Sequence, residues 1–330
     1  MRAAVISGFG PPSRVRVDEV AVPTCRANEV LIQVAAAGVN PVDWKECEGH
    51  LVQFYGKYPD PWVPGYDAAG IVAAVGAEVT GFETGDRVVA FSDRRESGHN
   101  GTFAEFVRVL PNAVSIVPRM VDLAEAAAIP TAGLTGYQAL FRDNKAGLTA
   151  GNAVLIHGAS GGVGSYAVQF AKARGLRVAA TCSARNLEYA KGLGADLVLD
   201  YAKGGMVSAV RTWEPQGVDA IIDCVSGESL PDGLDALRPT GRLLSILTLT
   251  QDGDVQGDVK RAGSRGFTKI LSIMDFDRVG AELGEILELM ARGLVKTPPL
   301  EIHPLDEAAG ALKRVKEGGV RGKVVLRVGA

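Results

Sequence analysis

The stretch His157-Gly158-Ala159-Ser160-Gly161-Gly162-Val163-Gly164 follows an apolar run at 153–156 and leads into residues 165–174, where apolar positions recur at helical spacing. Strand, glycine turn and helix in that order predict a dinucleotide-binding turn. Ala159 starts the turn, Gly161 lets the backbone approach a pyrophosphate, and Gly164 lets the helix pack closely on the strand, with the helix N-terminal N–H groups facing the phosphates. Val163, Ala167, Phe170 and Ala171 fall at i, i+4, i+7 and i+8, a stripe that covers a sheet, and Lys172 and Arg174 are left to face water. Ser160, Gly161, Gly162, Val163 and Gly164 are the candidate cofactor-binding residues. The bland alternative is a glycine-rich turn that binds nothing.

Outward from this turn, apolar segments at 153–157, 177–181, 197–199, 218–225 and 242–247 alternate with helical stretches. Right-handed crossovers make such segments one parallel sheet, so the region is expected to be a doubly wound α/β fold of Rossmann type. The near-continuous apolar run Ala220-Ile221-Ile222 agrees with strands covered on both faces. Residues 1 to about 120 instead hold short β-rich segments among many Gly and Pro, the texture of an irregular β-barrel-like domain. Val279, Leu283, Ile286, Leu287, Met290 and Leu294 mark a last amphipathic helix, and 322–328 reads as a strand that rejoins the first domain. The expected division is 1–122 with 295–330 as a β-rich substrate domain, and 123–294 as the dinucleotide domain.

At 330 residues, 47% hydrophobic and 22% charged with net charge -3, the chain is long enough for two cores. It has no basic block or aromatic-basic interleaving, so nucleic acid is not an expected partner. No apolar stretch approaches about 18 residues, and residues 1–8 read as a short strand ending in a glycine turn, so a soluble cytoplasmic protein is expected, without membrane association. Cys25, Cys47, Cys182 and Cys224 form no C-x-x-C pair, and His50, His99, His157 and His303 show no paired ligand spacing, so free thiols and no metal site are expected.

The choice of dinucleotide should be readable about 20 residues beyond the turn, where an acid would accept the ribose hydroxyls of NAD. That segment is Thr181-Cys182-Ser183-Ala184-Arg185-Asn186 and carries no acid. Ser183 stands in the acid's place, and Arg185 offers a charged fork suited to a 2′-phosphate, so NADPH is the expected cofactor. Ser183 could also cap the following helix, with Arg185 as a solvated first-turn residue.

Several ordered motifs then stand together: Gly38-Val39-Asn40-Pro41-Val42-Asp43, Pro64-Gly65-Tyr66-Asp67-Ala68-Ala69-Gly70-Ile71-Val72, Gly85-Asp86-Arg87-Val88, Gly101-Thr102-Phe103-Ala104-Glu105-Phe106 and Leu134-Thr135-Gly136-Tyr137. With them and the glycine turn, the chain resembles the zinc-free NADPH:quinone oxidoreductases of the medium-chain dehydrogenase/reductase superfamily, the zeta-crystallin-like group. The resemblance covers nearly the whole length and implies a chaperonin-10-like first domain. Zinc-dependent relatives place Cys, His and Cys where this chain has Asn40, Tyr66 and Thr131, none a usual zinc ligand in such a setting. The resemblance also places Asn40, Thr131 and Thr135 near the nicotinamide as candidate catalytic residues, and Tyr201 beside the adenosine phosphate. Asn40 is otherwise a turn residue before Pro41, and Tyr201 packing at a strand end. The backbone at Leu247, at the carboxyl end of a predicted strand, is a candidate grip for the carboxamide.

No tyrosine has Lys four residues later, which closes the route of short-chain reductases. With neither metal nor an evident acid/base pair, the chemistry left to NADPH is hydride delivery to an already electrophilic carbon, a quinone or an α,β-unsaturated carbonyl. The alternatives are an enone, alkenal or enoyl-thioester reductase, and a non-catalytic NADPH-binding protein. Phe54, Tyr55, Tyr58 and Trp62 could wall a planar acceptor, fill core or form a lid. A homodimer, joined through an edge strand at 269–273, is implied by the resemblance alone.

Overall fold

The computed structural model describes residues 1–93, 101–225, 233–246, 263, 268–271 and 274–329, the side chains of 269–271 excepted. Contacts divide the chain into two compact units, Met1–Leu134 with Asp275–Gly293 and Thr297–Ala330, and Thr135–Met274 with Leu294–Lys296.

In the first unit the hairpin β1 (Arg2–Val5) and β2 (Arg16–Glu19) stands apart from a larger sheet formed by β3 (Val30–Val39), β4 (Asp67–Val75), β5 (Arg87–Phe91), β6 (Phe106–Val109) and β7 (Val114–Ile116). In the second unit, β8 (Ala153–His157), β9 (Arg177–Cys182), β10 (Leu197–Asp200), β11 (Val218–Asp223), β12 (Leu237–Ser245) and β13 (Thr268–Leu271) form one six-stranded sheet in the order β10-β9-β8-β11-β12-β13. Every neighbouring pair in it is parallel. Counted from β8, the order is that of the doubly wound dinucleotide fold, with its topological switch point between β8 and β11. Finally β14 (Leu300–Pro304) and β15 (Lys323–Arg327) return to the first unit, where β15 pairs antiparallel with β3. The C-terminal segment therefore rejoins the first domain, as its pattern predicts.

The parallel sheet is buried because its strands present apolar side chains to both faces. All five residues of β8 are buried, and Leu155, Ile221 and Leu237 are completely covered together with Val210 from the helix Met206–Trp213. Each such aliphatic side chain contributes about 1.5–3 kcal/mol relative to exposure.

Two parts of the sequence reading differ from the structure. The division by contacts groups 123–134 and 275–293 with the first unit rather than with the dinucleotide unit. The helix Leu123–Ala127 packs on β3 and β4, and the helix Val279–Ala291 packs on β7. Gly280 permits the second contact, since a Cβ there would lie 2.6 Å from the Val114 carbonyl oxygen. Second, the helix Gly162–Ala173 is buried from Gly164 through Ala171, not along one stripe only. Tyr166 and Val168, off the expected face, are fully covered, and Tyr166 stacks on Phe170 at 5.7 Å.

Cys47 and Cys182 are buried, while Cys25 and Cys224 are half-buried, and none of the four is in a disulfide. Burial pushes the thiols of Cys25, Cys182 and Cys224 above their ordinary range, and the charges of Asp200 and Asp223 add to this at Cys182 and Cys224. Among the described residues no helix is long and apolar enough to cross a membrane.

Candidate functional site

At the carboxyl end of β8 the chain turns sharply through Gly158, whose φ of +84° lies in the left-handed region. The corner thus falls on Gly158, one residue before Ala159, where the sequence reading starts the turn. The N–H groups of Gly158 and Ala159 both donate to the Thr181 carbonyl, at 3.1 and 2.9 Å, which pins the turn to β9. Gly164 leaves no room for a side chain, since a Cβ would sit 2.3 Å from the Gly158 carbonyl oxygen. At Gly161 the nearest atom to a built Cβ is 3.6 Å away, so the outer side of the turn is open where the helix begins. Open backbone there, followed by N–H groups without helical acceptors, fits a diphosphate. Below the turn, buried His157 shares a 2.5 Å hydrogen bond between Nδ1 and Thr181 Oγ1. Burial lowers the imidazole from its ordinary range, and Asp223 opposes the shift.

The next two strands of the same sheet end beside this turn. After β9, Ser183 makes no capping bond with its side chain, so the helix-cap alternative is not realised. Its Oγ instead accepts from Asn186 Nδ2 at 3.2 Å, and the same amide group donates to Ser160 Oγ at 2.9 Å. Arg185 is exposed in this turn. After β10, Tyr201 is 55% exposed and meets the His157 ring edge-on at 6.5 Å. The structure therefore gathers Ser160, Gly161, Gly162, Val163, Gly164, Ser183, Arg185 and Tyr201 at the carboxyl ends of three adjacent strands, where open α/β sheets take ligands. Leu247 lies outside the described residues. Asn186 was missed, and its only sequence signal is an amide three residues after Ser183.

In the first unit, two of the candidate catalytic residues share one carboxylate. Asp67 at the start of β4 is fully buried and accepts from the Thr131 N–H at 3.0 and 3.1 Å, from Thr131 Oγ1 at 2.5 Å and from Asn40 Nδ2 at 2.8 Å. Lys323 Nζ donates to the Val39 carbonyl at 3.2 Å and to Asn40 Oδ1. Asn40 also precedes the helix Pro41–Cys47, and its backbone N–H donates to Asp43 Oδ2 at 2.6 Å. It is a turn residue and a member of the cluster at once. Gly38 faces Asp67 across the β3–β4 ladder, and a Cβ there would lie 2.3 Å from the Ala127 carbonyl oxygen.

Burial raises the Asp67 carboxyl from its ordinary range, while Lys323, Thr131 and Asn40 oppose the shift. Asp43 is raised further, first by burial and then by the charge of Asp67, and Lys323 is lowered by burial against the pull of both acids. Asp43, Asp67 and Lys323 were not singled out from sequence, because an acid within an apolar run shows no partner until the sheet brings one. Thr135 stands one turn beyond Thr131 on the helix Pro130–Phe141 and is half-buried, but the division between the units falls just before it.

The aromatic segment splits in its roles. Trp62 is buried with Nε1 donating to the Gly8 carbonyl at 3.1 Å, and Tyr58 packs on it at 4.9 Å while its hydroxyl donates to Glu46 at 2.9 Å. Trp62 fills core, half-buried Tyr58 packs against it, and Phe54 is 52% exposed. Asn40, Tyr66 and Thr131 do not supply zinc ligands, and no group of three or more His, Cys, Asp and Glu able to hold a metal ion occurs among the described residues.

Comparison with known proteins gives two family matches, "Alcohol dehydrogenase GroES-like domain" over residues 26–119 and "Zinc-binding dehydrogenase" over 193–326. The chain is 42% identical over 330 residues to the "Quinone-oxidoreductase homolog, chloroplastic" of Spinacia oleracea, covering 99% of this chain and 98% of that protein. It is 32% identical over 311 residues to the "2-methylene-furan-3-one reductase" of Solanum lycopersicum, covering 87% of this chain and 78% of that protein. Among solved structures, the quinone oxidoreductase from Coxiella burnetii is similar with a TM-score of 0.84 and 31% identity, over 100% of this chain and 99% of that one.

Proposed function

Because this chain belongs to the quinone oxidoreductase family of the medium-chain dehydrogenases/reductases, we propose that it reduces a quinone with a hydride taken from NADPH. It is a zinc-independent oxidoreductase that uses a nicotinamide cofactor. The observation that carries the cofactor reading is the turn itself, with Gly158 in the left-handed region, Gly164 packed against it and Gly161 open. NADPH rather than NADH is our inference from Ser183 and Arg185 in the place of an acid.

When bound, the reduced nicotinamide supplies a hydride to an electrophilic carbon. With Asn40, Tyr66 and Thr131 where thiolate and imidazole ligands stand in zinc-dependent relatives, no Lewis acid is provided for the acceptor, so its carbon must be electrophilic in itself. The chain's own contribution is to hold and orient. Asn40, Thr131 and Thr135 are the residues we assign to the acceptor end. Asn40 is fixed through both ends of its amide, by Asp67 and by Lys323, and Thr131 by Asp67. Fixed polar groups of this kind orient an acceptor without reorganising during the reaction. Gly161 and the helix start at Gly162 would hold the diphosphate, Ser183 and Arg185 the 2′-phosphate, and Tyr201 the adenosine side.

The test is NADPH oxidation with 1,4-benzoquinone, 9,10-phenanthrenequinone, an alkenal and crotonyl-CoA in parallel, with the quinones expected to turn over fastest. Turnover of the alkenal or the thioester alone would move the assignment to an enone or enoyl reductase. That second reading is favoured by the relative named for reducing a 2-methylene-furan-3-one. Turnover of none would leave an NADPH-binding protein. Arg185→Asp should raise the apparent NADPH constant about tenfold or more, and the NADH constant far less; equal effects would remove the 2′-phosphate assignment. We infer further that the enzyme is a cytoplasmic homodimer joined through β13, the edge strand of the parallel sheet.

A further inference from the structure

The turn after β9 holds a buried polar side chain that the cofactor reading does not use. Asn186 is 5% exposed, and its Nδ2 reaches Ser160 Oγ at 2.9 Å and Ser183 Oγ at 3.2 Å. The two serines follow β8 and β9, which are neighbours in the sheet, and both are half-buried. An amide NH2 group has two protons to give and no lone pair to offer. Each serine oxygen that it reaches is therefore used as an acceptor, and the hydroxyl's own proton must point elsewhere. Neither proton has an acceptor among the described residues. One side chain thus turns two hydroxyls on separate loops into donors, within reach of the same small group.

We propose that Asn186 is a specificity-determining positioning residue, which sets Ser160 and Ser183 as a paired hydroxyl donor for the phosphate on the adenosine ribose of NADPH. The proposal rests on the NADPH reading and deepens it. A phosphate offers several acceptor-only oxygens and takes both O–H donors in charge-assisted bonds, whereas a ribose hydroxyl is neutral, accepts more weakly and brings a proton of its own that two outward donors do not accept. Asn186 would touch no cofactor atom and would act only by fixing the direction of the two hydroxyls.

The test uses the full chain and two fragments, adenosine 2′,5′-bisphosphate and adenosine 5′-monophosphate, titrated calorimetrically without any acceptor present. The wild-type protein is expected to prefer the bisphosphate. Asn186→Ala should weaken bisphosphate binding about tenfold and leave the monophosphate within about twofold. Asn186→Asp, whose carboxylate accepts from both serines and turns their protons inward, should weaken it about a hundredfold. Should Asn186→Ala melt early, Ser160→Ala and Ser183→Ala give the same reading singly, each costing part of the preference. A preference unchanged in Asn186→Ala, or an equal loss for both fragments, would overturn the proposal, since the second marks a merely structural role. If the wild-type protein binds both fragments equally, the NADPH reading falls first and takes the proposal with it.

Discussion

Gly164 and Asp43 show how much rests on single atoms. A methyl group at Gly164 would sit 2.3 Å from the Gly158 carbonyl oxygen, and backbone on both sides leaves nothing soft to yield. Gly164→Ala should cost about 1–3 kcal/mol in a denaturant titration and weaken dinucleotide binding with it. Asp43 makes the opposite prediction. It is buried, its Oδ1 finds no hydrogen-bond partner among the described residues, and its carboxyl is held well above the ordinary range by burial and by Asp67. A raised carboxyl contributes stability that is complete below the unfolded pKa, near 3.9, and is lost as pH rises through the folded value. Asp43→Asn keeps an oxygen for the Asn40 N–H and removes that titration. The variant should therefore gain on the wild-type protein as pH rises above about 4, followed by urea midpoints; a gap constant with pH would contradict this. Gly164 was legible from the fingerprint, because spacing alone locates the tight contact. Asp43, Asp67 and Lys323 were not, because their roles come from one helix and two strands far apart in the chain.

The helix Gly162–Ala173 marks where reading by periodicity stops. Its apolar stripe is plain in the sequence, and Ala167, Phe170 and Ala171 are buried as that stripe predicts. Gln169 lies off the stripe and looks like a solvent residue, yet it is buried and pairs with the backbone of Lys296, donating to its carbonyl at 2.9 Å and accepting its N–H at 2.8 Å. A partner so far along the chain leaves no trace in a local window. Gln169→Leu would leave both backbone groups unpaired, so we expect a loss of about 1–3 kcal/mol with dinucleotide binding largely kept. Strand β12 departs from expectation for a related reason. It starts at Leu237 rather than near 242, and Arg238 to Thr240 are exposed, so no apolar pattern announces them.

On the scale of the whole molecule, that the second region forms one parallel sheet could be read from five apolar runs and the rule for crossovers, while the grouping of 123–134 and 275–293 could not, since helices show their amphipathic face but not which sheet receives it. Light scattering should report twice the 34.5 kDa chain mass if β13 joins two copies; a monomer at micromolar concentration would remove the dimer. The four cysteines lead to one more expectation. Quinones add to thiolates, not to thiols, and burial raises the thiols of Cys25, Cys182 and Cys224 above their ordinary range, which disfavours the reactive form. Exposed to benzoquinone without coenzyme and examined by mass spectrometry, Cys182 and Cys224 should remain without adducts. Retained thiols at both positions would show that a chain proposed to meet a quinone can do so without losing these two side chains to arylation.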